Sequence, residues 1–110
     1  MTSYSQLDGG PKLVLAAGIR TPMAKAGGAF AKENVAHLAA ITTRELLAQT
    51  GLPPETINEV ITGCVGQPFD QANVSRVIAL RSGIPQEVPA RTVARNCASG
   101  MEGVTTAAAN

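Results

Sequence analysis

The alternation of short apolar runs with helical segments restricts the fold more than any other feature. Three runs rich in aliphatic or β-branched residues predict strands, over residues 12–17, 59–65 and 91–95. The first run is continuously apolar, which is typical of a strand covered on both faces. Strands that alternate with helices form βαβ units, so the sequence predicts an α/β fold with a mostly parallel sheet.

The clearest helix is predicted over residues 34–49, because small or apolar side chains recur there at helical spacing: Val35, Leu38, Ala39, Thr42, Leu46. Asn34 is a suitable N-cap, and Gly51 is suited to end the helix before Pro53. Residues 18–31 contain the turn-forming pairs Thr21-Pro22 and Gly27-Gly28 and predict a loop.

Two further helices are predicted from the same kinds of signal. One begins at Asp70 or Asn73, continues to about residue 81 and ends at Gly83. The other begins at Asn96 or Cys97 and continues through small residues. Residues 103–110 lack a C-terminal cap signal, so we expect this chain to be a fragment.

Composition excludes several classes of function. Nine Lys and Arg residues against eight Asp and Glu give a net charge of +1, and aromatic residues make up only 3%, so neither nucleic acid nor an anionic membrane is an expected partner. No apolar run approaches the roughly 20 residues of a membrane span, and no secretory signal precedes residue 12. Two Cys and one His form no zinc pattern, so we expect no metal, no cofactor and a reducing, cytoplasmic setting.

One segment, residues 93–103, carries a chemical signal. It places Cys97 where a strand turns into a helix crowded with small residues. The free amides and partial positive charge at a helix start stabilise a thiolate, and they also stabilise the oxyanion formed when sulfur attacks a carbonyl. The sequence therefore predicts a nucleophilic cysteine. The alternative is that Cys97 is a small buried apolar residue.

Several motifs that follow one another in the right order resemble the thiolase family, the acetyl-CoA acyltransferases. The resemblance covers residues 12 to 110 and depends on these segments: Arg20-Thr21-Pro22 with Gly27-Gly28, residues 59–63, 73–76, 82–85 and 88–90, and Asn96-Cys97-Ala98-Ser99-Gly100. Residues 1–11 are predicted to form a flexible tail that ends at Pro11. The resemblance implies an incomplete thiolase N-terminal domain over residues 12–110. The implied fold is the N-terminal part of a layered α/β structure of three or five layers, with the helix of Cys97 in the central layer.

The resemblance also implies a two-step Claisen chemistry in fatty acid metabolism. Cys97 would take an acyl group from a coenzyme A thioester and pass it to free coenzyme A, in thiolysis, or to a second acetyl-CoA, in condensation. The family uses in addition a histidine in a Gly-His-Pro motif and a cysteine in a Cys-x-Gly motif, and neither motif occurs in these 110 residues. We therefore assign one catalytic residue and no coenzyme A-binding residue, and expect the chain alone to be inactive. A homodimer or homotetramer is implied.

The remaining candidates have plainer interpretations. His37 is expected to be a partly exposed helix residue, Cys64 a packing residue in an apolar strand, and Gly27-Gly28 a structural loop. Arg20 pairs with a buried carboxylate or braces its loop, and a third alternative is that it orients the nucleophile helix. Arg91 and Arg95 flank the nucleophile segment, and the alternative is that they are solvated or interface charges. Ser99 is expected to satisfy a backbone group near the helix start.

Two other functions stay open at the level of sequence. A β-ketoacyl synthase of the same superfamily also places a nucleophilic Cys at a helix start, although the Arg20-Thr21-Pro22 loop favours a thiolase. A non-catalytic interaction module, which would pair its sheet with another subunit, is the alternative from a different class.

Overall fold

The structure, a computed structural model, describes residues 13–110. The regular elements follow one another along the chain as α1 (Val35–Thr50), β1 (Val60–Gly63), α2 (Val74–Arg81), β2 (Ala90–Val93) and α3 (Ser99–Ala109), with a 3₁₀ turn at Pro54–Thr56. The predicted tail over residues 1–11 lies outside the described residues, as does Lys12. Three predicted helices and two predicted strands are present, which confirms the α/β class.

The two strands are parallel neighbours, and α2 connects them. Val60 lies opposite Ala90, and Gly63 lies opposite Val93. Successive side chains of a strand point to opposite faces of the sheet. Thr62 faces α2, where its hydroxyl donates to the Ser75 hydroxyl at 3.0 Å, whereas Gly63 faces α3. The parallel pair is therefore covered on both faces, as the sequence predicted for this type of sheet.

Helix α1 begins and ends where the sequence indicates. The Asn34 side chain accepts hydrogen bonds from the amides of Ala36 and His37, and Gly51 adopts a left-handed conformation with φ of 68°. The face of α1 that packs inward differs from the predicted stripe, because Ala36 and Ala40 are the fully buried positions. Small side chains at this contact allow the α1 backbone to approach α2 closely.

Two apolar clusters join the helices to the sheet. One consists of Ala36, Val74 and Ile78, and the other consists of Ala79, Ile84 and Val88, against which Leu47 and Val60 also pack. Both clusters lie on the α1 and α2 side of the sheet. Among residues 13–110, no helix is both long enough and apolar enough to cross a bilayer.

The start of α2 is tied to β2 by polar side chains. Asn73 occupies the N-cap position as predicted, but its side chain does not cap the helix. Its amide donates to the Ala90 carbonyl at 2.9 Å, and its carbonyl accepts from the Thr92 hydroxyl at 2.8 Å. The buried Ser75 donates to the Val60 carbonyl at 3.1 Å. These bonds fix the helix to both strands.

The prediction of a strand over residues 12–17 is wrong for its described part. Residues 13–17 have no regular structure, and Leu13 and Leu15 are 72% and 88% exposed. A strand needs hydrogen bonds to a neighbouring strand. No strand of the described residues pairs with this segment, so apolar character alone does not make it a strand. The other two predicted strands exist but are shorter, ending at Gly63 and Val93.

Candidate functional site

Cys97 lies on the turn that joins the end of β2 to the start of α3. The expectation that α3 begins at Asn96 or Cys97 is wrong, because the helix begins two residues after the thiol, at Ser99. Asn96 has φ of 47°, a left-handed conformation that no residue of a right-handed helix adopts. The Cys97 side chain is exposed. Its exposure contradicts the alternative of a buried packing residue.

The turn around Cys97 is closed by hydrogen bonds. The Ala98 amide donates to the Arg95 carbonyl at 3.0 Å, and the Ser99 amide donates to the Asn96 carbonyl at 3.2 Å. The first hydrogen bond with α-helical spacing, four residues apart, is donated by the Glu102 amide to the Ala98 carbonyl. Within residues 13–110, the amides of Gly100 and Met101 have no backbone acceptor, so the helix start presents free donors shortly after the thiol.

Close contact between β1 and α3 fixes the helix that follows the turn. A Cβ added to Gly63 would overlap the Ser99 carbonyl and would lie 2.7 Å from Gly100 Cα. A Cβ added to Gly103 would lie 3.4 Å from the Gly63 amide nitrogen. Gly63 and Gly103 therefore allow the strand and the helix to meet backbone to backbone. Gly103 serves this packing.

The two arginines that flank the turn each have a carboxylate partner. Arg95 pairs with Glu102 at 3.0 Å, across the turn itself, and Arg91 pairs with Glu59 at 2.7 Å. The Glu59 carboxylate also accepts from the side chain of Asn110 at 2.6 Å. Both ion pairs are substantially exposed, so each contributes at most about 1 kcal/mol to stability.

The other polar candidates lie apart from the turn or make only local contacts. His37 is exposed on α1, which packs against α2. Cys64 is half-buried against the cluster of Ala36, Val74 and Ile78, as expected for a packing residue. Arg20 donates to the carbonyl of its neighbour Thr21, and within residues 13–110 it forms no ion pair with a carboxylate.

An open groove of about 780 Å³ lies beside α3. It is lined by residues of the irregular segment 13–15, of β1 and of α3, among them Leu13, Leu15, Ile61, Val104 and Ala107. Cys97 is not among its lining residues. Cys97 is exposed and follows the carboxyl end of β2 at Val93, and this edge is where open α/β sheets carry their sites.

The match to known proteins is consistent with this architecture. The family described as "Thiolase, N-terminal domain" matches residues 13–110. This chain belongs to the thiolase family. The family match favours a thiolase over the ketoacyl synthase alternative. It also includes the strand–turn–helix segment that carries Cys97.

Individual relatives agree with the family assignment. The thiolase chain is 41% identical over 93 residues to a probable acetyl-CoA acyltransferase of Staphylococcus aureus strain MRSA252, with 84% of this chain and 24% of that protein covered. A second Staphylococcus aureus protein of the same description, from strain bovine RF122 / ET3-1, is 40% identical with the same coverage. The chain spans about a quarter of the length of these curated relatives.

Solved structures share the fold. The crystal structure of the Bacillus anthracis acetyl-CoA acetyltransferase has a TM-score of 0.71 and 36% identity, and it covers 74% of this thiolase chain and 21% of the other. The human mitochondrial 3-ketoacyl-CoA thiolase, solved in complex with CoA, has a TM-score of 0.70 and 33% identity, with the same coverage. The layered α/β prediction is thereby confirmed at the level of fold class.

The roles of two residues at this site, Gly63 and Ser99, were not predicted from the sequence. Gly63 had a recognisable position at the end of a strand, but nothing local shows that a helix crosses it. Ser99 was expected only to satisfy one backbone group, whereas its hydroxyl contacts two, the Arg95 amide at 2.8 Å and the Asn96 carbonyl at 2.7 Å. The signal that could have found it is a Ser two residues after a cysteine in a tight turn.

Proposed function

We propose that Cys97 is the nucleophile of a thiolase that transfers acyl groups between coenzyme A thioesters. The observation that carries the proposal is the exposed thiol on a hydrogen-bonded turn before α3, in a chain of this family. The acyl-CoA and coenzyme A partners are supported by the names of the relatives, which include acetyl-CoA acyltransferases and a thiolase solved with CoA.

In the proposed first step, the Cys97 sulfur attacks a carbonyl carbon of the substrate. With acetyl-CoA, a new sulfur–carbon bond forms, the bond to the coenzyme A sulfur breaks, and the proton of Cys97 passes to the departing coenzyme A. With a 3-ketoacyl-CoA, the sulfur attacks the 3-keto carbon, the C2–C3 bond breaks, and the departing acetyl-CoA carbanion takes up a proton. Either route leaves an acyl group on Cys97, so one difficult transfer is divided into two.

In the second step the acyl group leaves Cys97. Attack by the thiol of coenzyme A gives acyl-CoA, which completes thiolysis, and attack by the C2 carbanion of acetyl-CoA gives a 3-ketoacyl-CoA, which completes the condensation. Both reactions restore the Cys97 thiol. The free amides of Gly100 and Met101 are candidate donors to the oxyanion that forms in each attack.

The direct test is to locate the acyl group. Brief exposure of the full-length natural protein to acetyl-CoA should add one acetyl mass to the tryptic peptide that begins at Asn96, because Cys97 is exposed whereas Cys64 is half-buried. Cys64 lies in a different tryptic peptide, 45–76, and provides the internal control. Mass spectrometry before and after added coenzyme A should show the acetyl group appear and then leave. An acetyl group on Cys64 alone would contradict the assignment.

The 110-residue chain by itself is expected to catalyse no measurable thiolysis. The reaction needs a group that takes the thiol proton and another that protonates the departing carbon. The one His of the chain, His37, lies on α1, and α1 and α2 lie on the opposite side of the sheet from α3. Loss of 3-ketoacyl-CoA absorbance would measure turnover, with the full-length protein as the positive control. Turnover by the 110 residues that disappears in a Cys97→Ala variant would refute this expectation.

The cytoplasmic setting and the homodimer or homotetramer remain part of the proposal. Their support is the resemblance and the family assignment.

A further inference from the structure

Ser99 is buried beside an exposed nucleophile. It is the first residue of α3 and is only 4% exposed, whereas its neighbours Ala98 and Gly100 are exposed, as is Cys97. Its hydroxyl accepts a hydrogen bond from the Arg95 amide at 2.8 Å and donates one to the Asn96 carbonyl at 2.7 Å. A single side chain thereby connects the residue two positions before Cys97 with the residue directly before it.

These two bonds lie on either side of a strained residue. Asn96 has φ of 47°, a left-handed conformation that Asn adopts more readily than other non-glycine residues and that costs a residue such as Ala about 1 kcal/mol or more. The Arg95 amide belongs to the peptide group before Arg95, and the Asn96 carbonyl belongs to the peptide group between Asn96 and Cys97. Holding both groups sets the backbone direction at Cys97, and hence the direction in which the Cys97 side chain points.

We propose that Ser99 is a positioning residue for acyl transfer, whose hydroxyl holds the left-handed turn at Asn96 so that the Cys97 thiol faces its substrate. This inference rests on the proposed function of Cys97. Ser99 itself contacts no reacting atom in the proposed reaction.

Other contacts across the turn do not substitute for the hydroxyl. The two amide-to-carbonyl bonds, from Ala98 to Arg95 and from Ser99 to Asn96, belong to the backbone and persist when the side chain is removed. The Arg95–Glu102 ion pair is exposed, with 72% and 32% of the two side chains accessible, so solvent weakens it. Removal of the Ser99 hydroxyl would leave the Arg95 amide without its side-chain acceptor.

The test is the rate at which acetyl-CoA acetylates Cys97 in the full-length natural protein. In Ser99→Ala, the rate at saturating acetyl-CoA should fall about tenfold or more, since small misplacements of reacting groups have effects of this size, while the half-saturating concentration stays unchanged. The matched control is Thr105→Ala. It removes a hydroxyl from the same helix, where Thr105 bonds only to the carbonyls of Met101 and Glu102. Thr105→Ala should keep the wild-type rate.

A glycine at position 96 separates positioning from simple destabilisation. Glycine adopts positive φ at no steric cost, so in an Asn96→Gly background the Ser99→Ala substitution should lower the rate less than about threefold. Equal losses in both backgrounds, or a wild-type rate in Ser99→Ala, would overturn the proposal. If wild-type protein is not acetylated on Cys97 at all, it is the proposed function that fails.

If Ser99→Ala does not fold, two substitutions of the exposed Asn96 provide the same test. Asn96→Ala retains the Ser99 hydroxyl but opposes the left-handed conformation, whereas Asn96→Gly accepts it. The saturating rate of Asn96→Ala should be about tenfold below that of Asn96→Gly. Equal rates for the two variants would show that the turn does not position the thiol.

Discussion

Replacement of Cys97 by alanine should abolish acyl transfer by the full-length natural protein. Loss of the nucleophile removes the covalent route entirely, and a fall in kcat of at least about 10³-fold is expected by comparison with other nucleophile deletions. The fold should be retained, because Cys97 is exposed and the substitution changes stability by no more than about 0.5 kcal/mol. Steady-state thiolysis and thermal unfolding, measured on the same preparation, check both statements.

Cys64→Ala is the matched control for this substitution. Cys64 packs against Ala36, Val74 and Ile78, so its loss should lower the free energy of unfolding by about 1 kcal/mol. The turnover of the folded protein should be unchanged. The opposite result, in which Cys64→Ala loses turnover and Cys97→Ala keeps it within tenfold of wild type, would move the nucleophile to Cys64.

Gly63→Ala should destabilise the protein by about 3 kcal/mol or more, at the upper end for an overpacked site. The new Cβ would overlap the Ser99 carbonyl, which belongs to the helix backbone and has no side-chain rotamer with which to move away. To make room, α3 must shift away from β1. Because Ser99 is part of the turn bonds around Cys97, the acetylation rate of Cys97 should fall together with stability.

Gly66→Ala provides the comparison for Gly63. A Cβ at Gly66 would meet no atom within 4 Å, and its substitution should change the free energy of unfolding by less than about 0.5 kcal/mol. Urea unfolding of the two variants and of wild type measures the difference. Similar stabilities for Gly63→Ala and Gly66→Ala would mean that α3 does not pack on the backbone of β1.

The sequence determined the features that depend on neighbouring residues. Asn34 and Gly51 mark the ends of α1 because capping and left-handed termination are local chemistry. The short β-branched run around Val60 predicts a strand for the same reason. The family, and with it the candidate nucleophile Cys97, could also be recognised from the sequence, because the motif around it is contiguous.

The tertiary structure decided whatever depends on residues far apart in the chain. Residues 13–17 have the composition of a strand, but strand formation requires a hydrogen-bonding neighbour that composition does not supply. The packing role of Gly63 exists only because α3, which begins at Ser99, crosses β1 at that point. The start of α3 after Cys97 was likewise fixed by the left-handed Asn96 and the two bonds of the Ser99 hydroxyl, a balance between strain and hydrogen bonding that helical periodicity does not reveal.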